Sequence, residues 1–323
     1  MKQMHALLLC LTLLAVPALR GEDQPGTAPL IRHIDVVGHR GARGDRPENT
    51  LPAFEYAIAA GVDGIEFDVH ATKDNAIVVS HDPVLHGPNC IGPKSSAVIR
   101  EMTLEEVKQW DCGRKNPEFA KQVSVPDTHV PTLDEVLDLA PKGSFVFQLE
   151  IKSTDRRLTR EQANAWIDGQ TTFKGPSPEA RERMIQVLTM AGPEMYPSPE
   201  ELARLVLERV RAHHLEKRTV IYSIDPRIIK AMRKLDPTIK CEAPTDGRHS
   251  VLAVAHELNI KDVGPADVPD LAHQVEIAHA EGVRVGAFAN QSDWDKFIAE
   301  GVDGICTDYP INLLHYLEQK HYH

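Results

Sequence analysis

The sequence lacks clusters of basic side chains. Among its 323 residues, 36 lysines and arginines are outnumbered by 47 aspartates and glutamates, which gives a formal net charge of −11. An acidic chain without a Lys/Arg run is a poor binder of nucleic acid, so we expect no nucleic-acid partner. A phosphate ligand remains compatible with this charge balance, because local charge decides whether such a ligand binds. The sequence also contains no internal repeat.

A membrane-spanning apolar run is also missing. The apolar stretch at residues 6–19, which follows Lys2, is shorter than the roughly 20 residues that a transmembrane helix needs. A positive residue followed by a short apolar run is typical of a secretory signal peptide. We therefore predict a signal peptide at 1–21, a polar linker at 22–32, and a periplasmic or secreted protein without stable membrane insertion after cleavage. An uncleaved membrane anchor is the alternative.

None of the five cysteines has the spacing of a metal-binding motif. Cys10 lies inside the predicted signal peptide. Cys90 and Cys112 lie 22 residues apart in loop-like sequence, where an oxidising compartment would allow a disulfide between them. Cys241 and Cys306 lie in apolar, strand-like stretches and are expected to be small buried hydrophobic residues.

Short apolar runs alternate with amphipathic segments from residue 33 onward. Strand–helix alternation indicates a parallel sheet, and eight strands favour a closed TIM-type (β/α)8 barrel, a fold of about 250 residues. We therefore predict one barrel domain over residues 33–323. The predicted strands are 34–38, 64–69, 76–80, 145–151, 219–224, 238–242, 284–289 and 303–307, with a further candidate at 259–264. The predicted helices are 50–60, 103–110, 132–140, 199–214, 226–235, 249–258, 268–281 and 292–300.

Two long segments, at about 82–131 and 153–198, interrupt this alternation. Both follow predicted strands, so we expect them to be insertions at the C-terminal face of the barrel, where active sites of this fold form. The second is rich in charge and proline and has a helical piece near 178–190. They are predicted to be lids, or simply flexible loops.

Three carboxylates are predicted to share the upper end of the barrel lumen. The alternation of a strand places Glu66, Asp68 and His70 on the face opposite the apolar residues of GIEFDVH, and Glu150 on the polar face of FVFQLEIK. Like charges in one confined space are unfavourable unless they are compensated. Oxygen ligands of this kind suit Ca²⁺ or Mg²⁺, so we predict one divalent cation there. Pairing of each carboxylate with Arg or Lys is the alternative.

Two histidines end apolar strands at the same end of the barrel. His39 follows the first strand and His81 the third, and beside a metal they would form an acid/base pair with pKa values near neutrality. Arg40 and Lys152 would supply positive charge to phosphate oxygens. A lone histidine at a strand end is usually only a polar terminator, and the histidines near the end of the sequence, such as His323, are expected to be solvated.

Five segments in order resemble the signature of the glycerophosphodiester phosphodiesterase family. They are HRGARGDRPENTLPAF, GVDGIEFDVHATKD, VVSHDP, LEIK and GVDGICTDYP, and the resemblance runs from about residue 33 to 312. It implies a TIM-type barrel, a metal and hydrolysis of a phosphodiester. The matching motif positions are His39 and Arg40 of HRG, Glu66 and Asp68 of the E-x-D pair, His81 of HD, and Glu150 and Lys152 of the E-x-K pair.

Three positions depart from the family pattern. Phe288 takes the place of a Trp or Tyr on the penultimate strand, where it would contact the substrate. Ile224 replaces an aromatic residue after Ser223, and Asn75 replaces the glycine of a KDG turn, where it would take the left-handed conformation. None of these positions belongs to the proposed metal or acid/base set, so they bear on substrate identity.

The reaction that follows is metal-dependent hydrolysis of a glycerophosphodiester to glycerol 3-phosphate and an alcohol. The nucleophile is either water or a neighbouring glycerol hydroxyl that would give a cyclic intermediate. A lipid phosphodiesterase, either a lysophospholipase D or a phospholipase C-like enzyme, is the alternative. It would need an apolar rim, for which the 153–198 segment offers Trp166, Phe173, Met184, Ile185, Met190, Met195 and Tyr196. A non-catalytic binder of glycerophosphodiesters is a third reading. The sequence leaves the released alcohol and the oligomeric state open.

Overall fold

The computed structural model describes residues 32–153, 157–170, 177–190, 192, 195–245 and 247–323. The predicted signal peptide at 1–21 and the predicted linker, apart from its last residue, lie outside the described residues. Residues 32–323 form one compact unit. No helix of the described part of the chain combines the length and the apolar character that crossing a membrane requires.

The elements follow one another in the alternating order that the sequence predicts. The strands are β1 (Asp35–Gly38), β2 (Gly64–Ala71), β3 (Ile77–Val79), β4 (Val84–His86), β5 (Ser96–Val98), β6 (Val146–Ile151), β7 (Thr219–Tyr222), β8 (Lys240–Ala243), β9 (Asp262–Val263), β10 (Arg284–Phe288) and β11 (Gly304–Thr307). The helices are α1 (Leu51–Ala60), α2 (Leu104–Val107), α3 (Leu133–Leu137), α4 (Arg160–Gln170), α5 (Pro178–Met190), α6 (Pro199–Ala212), α7 (Pro226–Leu235), α8 (Val251–Leu258), α9 (Leu271–Ala280), α10 (Trp294–Glu300) and α11 (Pro310–Gln319).

Eight parallel strands close into a barrel, which confirms the predicted fold. β1 pairs with β11 on one side and with β2 on the other, and the circle continues through β6, β7, β8, β9 and β10. The apolar face of each strand packs outward on the helices. Phe67 of β2, for example, is fully buried and meets Phe54 of α1 and Phe147 of β6 edge to face.

One predicted barrel strand is wrong. Residues 76–80 give β3, which runs antiparallel to the end of β2, with Val69 opposite Val79. Too few residues separate the two strands for the crossover that a parallel pair requires. The turn between them contains Asn75 at φ +62°, which is the left-handed conformation that the sequence predicted for this residue. The place in the barrel is taken by the two-residue strand β9, which lies within the further candidate at 259–264.

Each predicted helix is present, and the structure adds α4 and α11 to them. α1 begins as predicted, with the Thr50 side chain accepting a hydrogen bond from the Ala53 N–H, and ends at Gly61, whose φ is +89°. α11 buries Leu313, Leu314 and Leu317. An apolar stripe at this spacing is visible in the sequence, so this helix was predictable.

The two inserted segments pack on each other above the barrel. Val84 of β4 and Val98 of β5 share an apolar cluster with Ile167 of α4 and with Met184 and Leu188 of α5. β4 and β5 form an antiparallel hairpin. Among its described residues, the second segment therefore buries most of its large apolar side chains in this cluster rather than presenting them to solvent.

The loop cysteines of the first insertion are bonded to each other. Cys90 and Cys112 form a disulfide, and the neighbouring Trp110 is almost fully buried. Of the remaining cysteines, Cys241 is buried as expected. Cys306 is only partly buried, because it faces the barrel lumen.

Candidate active site at the mouth of the barrel

Three carboxylates converge where β2 and β6 end. The parallel register places Asp68 opposite Glu150, and Glu66 lies two residues before Asp68 on the same face of β2. One oxygen of each carboxylate lies within 4.8 Å of one oxygen of the other two. All three side chains are buried. The strand-face argument from the sequence thus predicted their positions correctly.

Lys152 and Arg40 compensate part of this negative charge. Lys152 Nζ lies 2.9 Å from Asp68 Oδ1 and 2.7 Å from Glu150 Oε2. The guanidinium of Arg40 lies beside Asp68, and its backbone N–H donates a 2.8 Å hydrogen bond to Glu66 Oε2. Pairing with cations, the alternative weighed from the sequence, is therefore present together with the carboxylate cluster.

The compensation is unequal among the three acids. Burial would raise the pKa of Asp68, but Lys152, His81 and Arg40 hold this pKa well below its usual value. For Glu66, burial and the neighbouring charges of Asp68 and Glu150 raise the pKa well above its usual value. The cationic side chains of the protein therefore do not fully stabilise the ionised form of Glu66. Three hard oxygen donors whose negative charge is only partly compensated fit a divalent cation such as Mg²⁺ or Ca²⁺.

The turn after β1 places Arg40 beneath the carboxylates. Arg40 has φ +48°, and the following Gly41 has φ +88°. A Cβ at Gly41 would lie 2.8 Å from the carbonyl carbon of Ala53 in α1, so only glycine lets this turn approach the helix. Glu48 then holds the Arg40 guanidinium by a 2.7 Å hydrogen bond.

His39 is oriented by an aspartate from the other end of the sequence. Its Nδ1 lies 2.6 Å from Asp308 Oδ1, and Asp308 directly follows β11. Because the carboxylate accepts the Nδ1 proton, the neutral ring keeps its free lone pair on Nε2. Phe288 at the end of β10 packs edge to face on the ring, 4.7 Å between centroids. Burial and the charge of Arg40 lower the pKa of His39 to about 4, although Asp308 opposes this shift.

His81 has an equivalent arrangement. Its Nδ1 lies 2.8 Å from Asp82 Oδ1, while its backbone carbonyl accepts a 3.0 Å hydrogen bond from His70 Nε2. His70, which strand alternation assigns to the lumen face, lines a separate small pocket with Arg100 and Tyr196. Burial and the charges of Arg40 and Lys152 lower the pKa of His81. Both histidines therefore have Nδ1 engaged by an aspartate and a pKa that burial lowers, which favours the neutral imidazole.

These side chains surround one cavity of about 550 Å³ that extends into the lumen. The structure brings every predicted site residue to this end of the barrel. The predicted residues that line the cavity are His39, Arg40, Glu66, His81, Glu150, Lys152 and Phe288, while Asp68 lies behind Lys152. Tyr222 and Ile224 line it as well, and Ile224 is 56% exposed.

Sequence reasoning missed the residues that orient the site. These are Asp308, Asp82, Glu48 and Asn49, whose Nδ2 donates a 2.9 Å hydrogen bond to Asp68 Oδ2. All four stand inside the segments HRGARGDRPENTLPAF, VVSHDP and GVDGICTDYP. A polar residue next to a predicted site residue, or at the end of the last strand, was the available signal. Imidazoles that can exchange protons, beside cations that can hold an anion, suit the hydrolysis of a phosphate ester, and they lie at the end of the barrel where active sites of this fold form.

Comparison with known proteins refines this reaction class to a family. The profile of the "Glycerophosphoryl diester phosphodiesterase family" matches residues 39–169. A glycerophosphodiester phosphodiesterase of Caldanaerobacter subterraneus subsp. tengcongensis is 27% identical over 86% of this chain and 96% of its own, and one of Bacillus altitudinis is 27% identical over 85% and 94%. An Oleispira antarctica phosphodiesterase, solved with the product sn-glycerol-3-phosphate, has the same fold, with a TM-score of 0.64, 21% identity and coverage of 88% and 96%. The chain belongs to the glycerophosphodiester phosphodiesterase family and is a phosphoric diester hydrolase.

Proposed function

We propose that this enzyme hydrolyses glycerophosphodiesters to glycerol 3-phosphate and an alcohol, with a divalent cation held by Glu66, Asp68 and Glu150. The observation that carries the proposal is the convergence of these three buried carboxylates with His39 and His81 around one cavity. The complex of the Oleispira antarctica relative with sn-glycerol-3-phosphate supports the choice of product.

The phosphate group would be held by charge rather than by shape. When bound, the cation would offset the negative charge that develops on the phosphate oxygens. Lys152 and Arg40 lie on either side of Asp68 and would bind the remaining non-bridging oxygens. Since their own positions are fixed by Asp68, Glu150 and Glu48, little reorganisation is needed when the substrate binds.

The two histidines would divide the proton transfers between them. Each has Nδ1 on an aspartate, which leaves Nε2 to exchange a proton with the substrate. One would remove a proton from the attacking water or glycerol hydroxyl, and the other would protonate the departing alkoxide. The second must carry a proton first, and an anionic phosphodiester nearby would raise its lowered pKa. A reaction stopped early and analysed by phosphorus NMR would reveal a cyclic phosphate if the hydroxyl attacks.

Metal dependence can be tested on protein stripped with a chelator. We expect no turnover of short glycerophosphodiesters until Mg²⁺ or Ca²⁺ is restored, and a Glu66→Gln variant should need far more cation for half-maximal rate. Glu55→Gln, which changes an exposed glutamate of α1, is the matched control and should behave like the wild type. Full activity without cation, or an unchanged cation requirement in Glu66→Gln, would contradict the ligand assignment. Absence of turnover of these diesters with any cation would contradict the proposed substrate class.

A lipid substrate is disfavoured by the packing of the second insertion. Met184, Ile185 and Tyr196, which the alternative assigns to an apolar rim, are buried, while Met190 is 61% exposed; Phe173 of the same rim lies outside the described residues. We therefore expect a short, water-soluble glycerophosphodiester to be a better substrate than micellar lysolipid. The same assay, with each alcohol quantified, identifies the group that is released.

We also propose that the protein is exported to the periplasm or secreted. The pattern of residues 1–21 supports this, and so does the Cys90–Cys112 disulfide, a bond that persists in oxidising compartments. Amino-terminal sequencing of the protein recovered from its native compartment should give a mature chain that begins near residue 22. An intact amino terminus in the cytosolic or membrane fraction would contradict the proposal.

A further inference from the structure

A second group of potential metal ligands lies at the opposite end of the barrel. His33 precedes β1, Asp63 precedes β2, and His323 follows α11, so the three come together where the barrel strands begin. One ligand atom of each lies within 4.8 Å of the others. His33 Nε2 is 3.2 Å from Asp63 Oδ1, and His323 Nε2 is 3.1 Å from Asp63 Oδ2. His323 is an exposed residue, as expected, although its side chain, in contact with Asp63, is only 20% exposed.

The backbone holds these side chains in place. The Ile34 N–H donates to the Tyr322 carbonyl, which fixes the neighbouring residues His33 and His323 side by side, with ring centroids 4.8 Å apart. Asp63 is anchored on β1 twice: its N–H donates to the Val36 carbonyl, and its Oδ2 accepts the Val36 N–H at 2.8 Å. A carboxylate oriented by a backbone hydrogen bond is the usual support of a metal ligand.

The arrangement differs from an ordinary surface ion pair. His256 and Glu281, for comparison, form an exposed pair of one imidazole with one carboxylate, at 2.8 Å. At the base of the barrel two imidazoles share a single carboxylate, and Asp35 Oδ1 lies 3.4 Å from His33 Nε2. Ligands at 2.0–2.2 Å from a tetrahedral ion are about 3.3–3.5 Å from one another. The two imidazole–carboxylate separations, 3.2 and 3.1 Å to different oxygens of Asp63, are close to these values, and the three ligand atoms lie within 4.8 Å of one another.

We propose that His33, Asp63 and His323 form a binding site for a borderline divalent cation such as Zn²⁺, with the fourth position taken by Asp35 or water. Imidazole with carboxylate suits Zn²⁺, whereas Mg²⁺ and Ca²⁺ prefer oxygen ligands alone. The two ends of the barrel would therefore select different ions. A cation at the base links the start of β1 to residues before β2 and after α11, so it would stabilise barrel closure without entering the reaction.

The test uses the full mature chain without a histidine tag, with Mg²⁺ saturating the upper site. Calorimetric titration with Zn²⁺ should show one site, and free Zn²⁺ at about a hundred times its Kd should raise Tm by roughly 4–8 °C. His33→Ala and His323→Ala should each weaken Zn²⁺ binding at least tenfold and remove the Tm shift, while the rate of diester hydrolysis stays unchanged. His33→Gln, which keeps the size of the side chain, should do the same.

Two controls separate this site from the upper one. His256→Ala should bind Zn²⁺ like the wild type, and so should Glu66→Gln, because that variant alters only the site at the mouth. Anomalous scattering at the zinc edge should locate the ion beside Asp63. Failure of the wild type to bind Zn²⁺, a Kd within twofold of wild type in His33→Ala, or loss of the site in Glu66→Gln would each overturn the proposal.

Discussion

The two ends of the barrel carry the same kinds of side chain in opposite surroundings. At the mouth, Glu66 and His39 are enclosed, and burial shifts the pKa of the first upward and of the second to about 4. At the base, the His33 side chain is 51% exposed and meets Asp63 where water reaches both. Enclosure thus makes the mouth dependent on cations and hydrogen bonds, while the base tolerates its charges at little cost. We therefore expect the reaction to take place at the mouth, where burial makes the charges costly.

Removing a histidine at the mouth should give the largest effect. His39→Ala and His81→Ala should each reduce kcat by roughly 10²–10⁴-fold, the usual loss when an acid or base is deleted. The matched control is His213→Ala on the side of the base, where a histidine of similar exposure to His39 pairs with Asp134. Steady-state assays of purified proteins check this. Equal reductions of kcat in His39→Ala and His213→Ala would contradict the expectation that only the histidines at the mouth take part in the reaction.

Within the barrel strands, truncating a side chain on the outer face should lower the free energy of unfolding more than truncating one on the lumen face. Phe67→Ala removes a fully buried ring and should lower the free energy of unfolding by about 3–5 kcal/mol. Val146→Ala on the lumen face, where the side chain is 37% exposed, should cost about 1 kcal/mol or less. Denaturant unfolding of both variants measures the difference. A cost at Val146 equal to that at Phe67 would mean that the lumen is packed as tightly as the outer layer.

Glu242, midway down the lumen, offers a pH-dependent comparison. Burial and the charge of Asp262 raise the pKa of Glu242 to about 8, against a hydrogen bond from Gln148 that lowers it. The folded state therefore retains a proton that the unfolded chain releases near its ordinary value of 4.5. Stability should fall as pH rises from about 4.5 to about 8, by about 1.4 kcal/mol per pKa unit. The glutamine of Glu242→Gln stays neutral, so the free energy of unfolding of this variant should depend less on pH between about 4.5 and about 8. Unfolding measured at several pH values checks this, and an unchanged dependence would mean that other groups cause it.

Asp308→Asn should reduce the rate less than the loss of His39 does. Asp308 acts through His39, so the variant should lose roughly 10–100-fold in rate, as is typical for a residue that orients a functional group. Since the aspartate opposes the lowering of the His39 pKa, its removal should also shift the His39 limb of the pH–rate profile downward. A rate loss without any change in this profile would indicate only a structural role.

Patterns within one strand were predictable, while contacts between distant strands were not. The alternation in GIEFDVH correctly separates Phe67 from Glu66 and Asp68, because side-chain direction follows from strand geometry alone. The antiparallel turn of β3 was missed, since an apolar run gives no direction of pairing. Asp308 was missed because its partner His39 lies 269 residues away along the chain. The contact of His323 with Asp63 was missed for the same reason, since 260 residues separate the two along the chain.

The sequence by itself determined the barrel, the two carboxylate-bearing strands and the residue types of the site, because periodicity and ordered motifs are local properties of the chain. Only the tertiary structure decided which aspartate orients each histidine, how Lys152 lies between Asp68 and Glu150, and which histidines meet at the base. Those relations arise when the barrel closes and brings β1 beside β11, and closure is a property of the whole circle of strands rather than of any one of them.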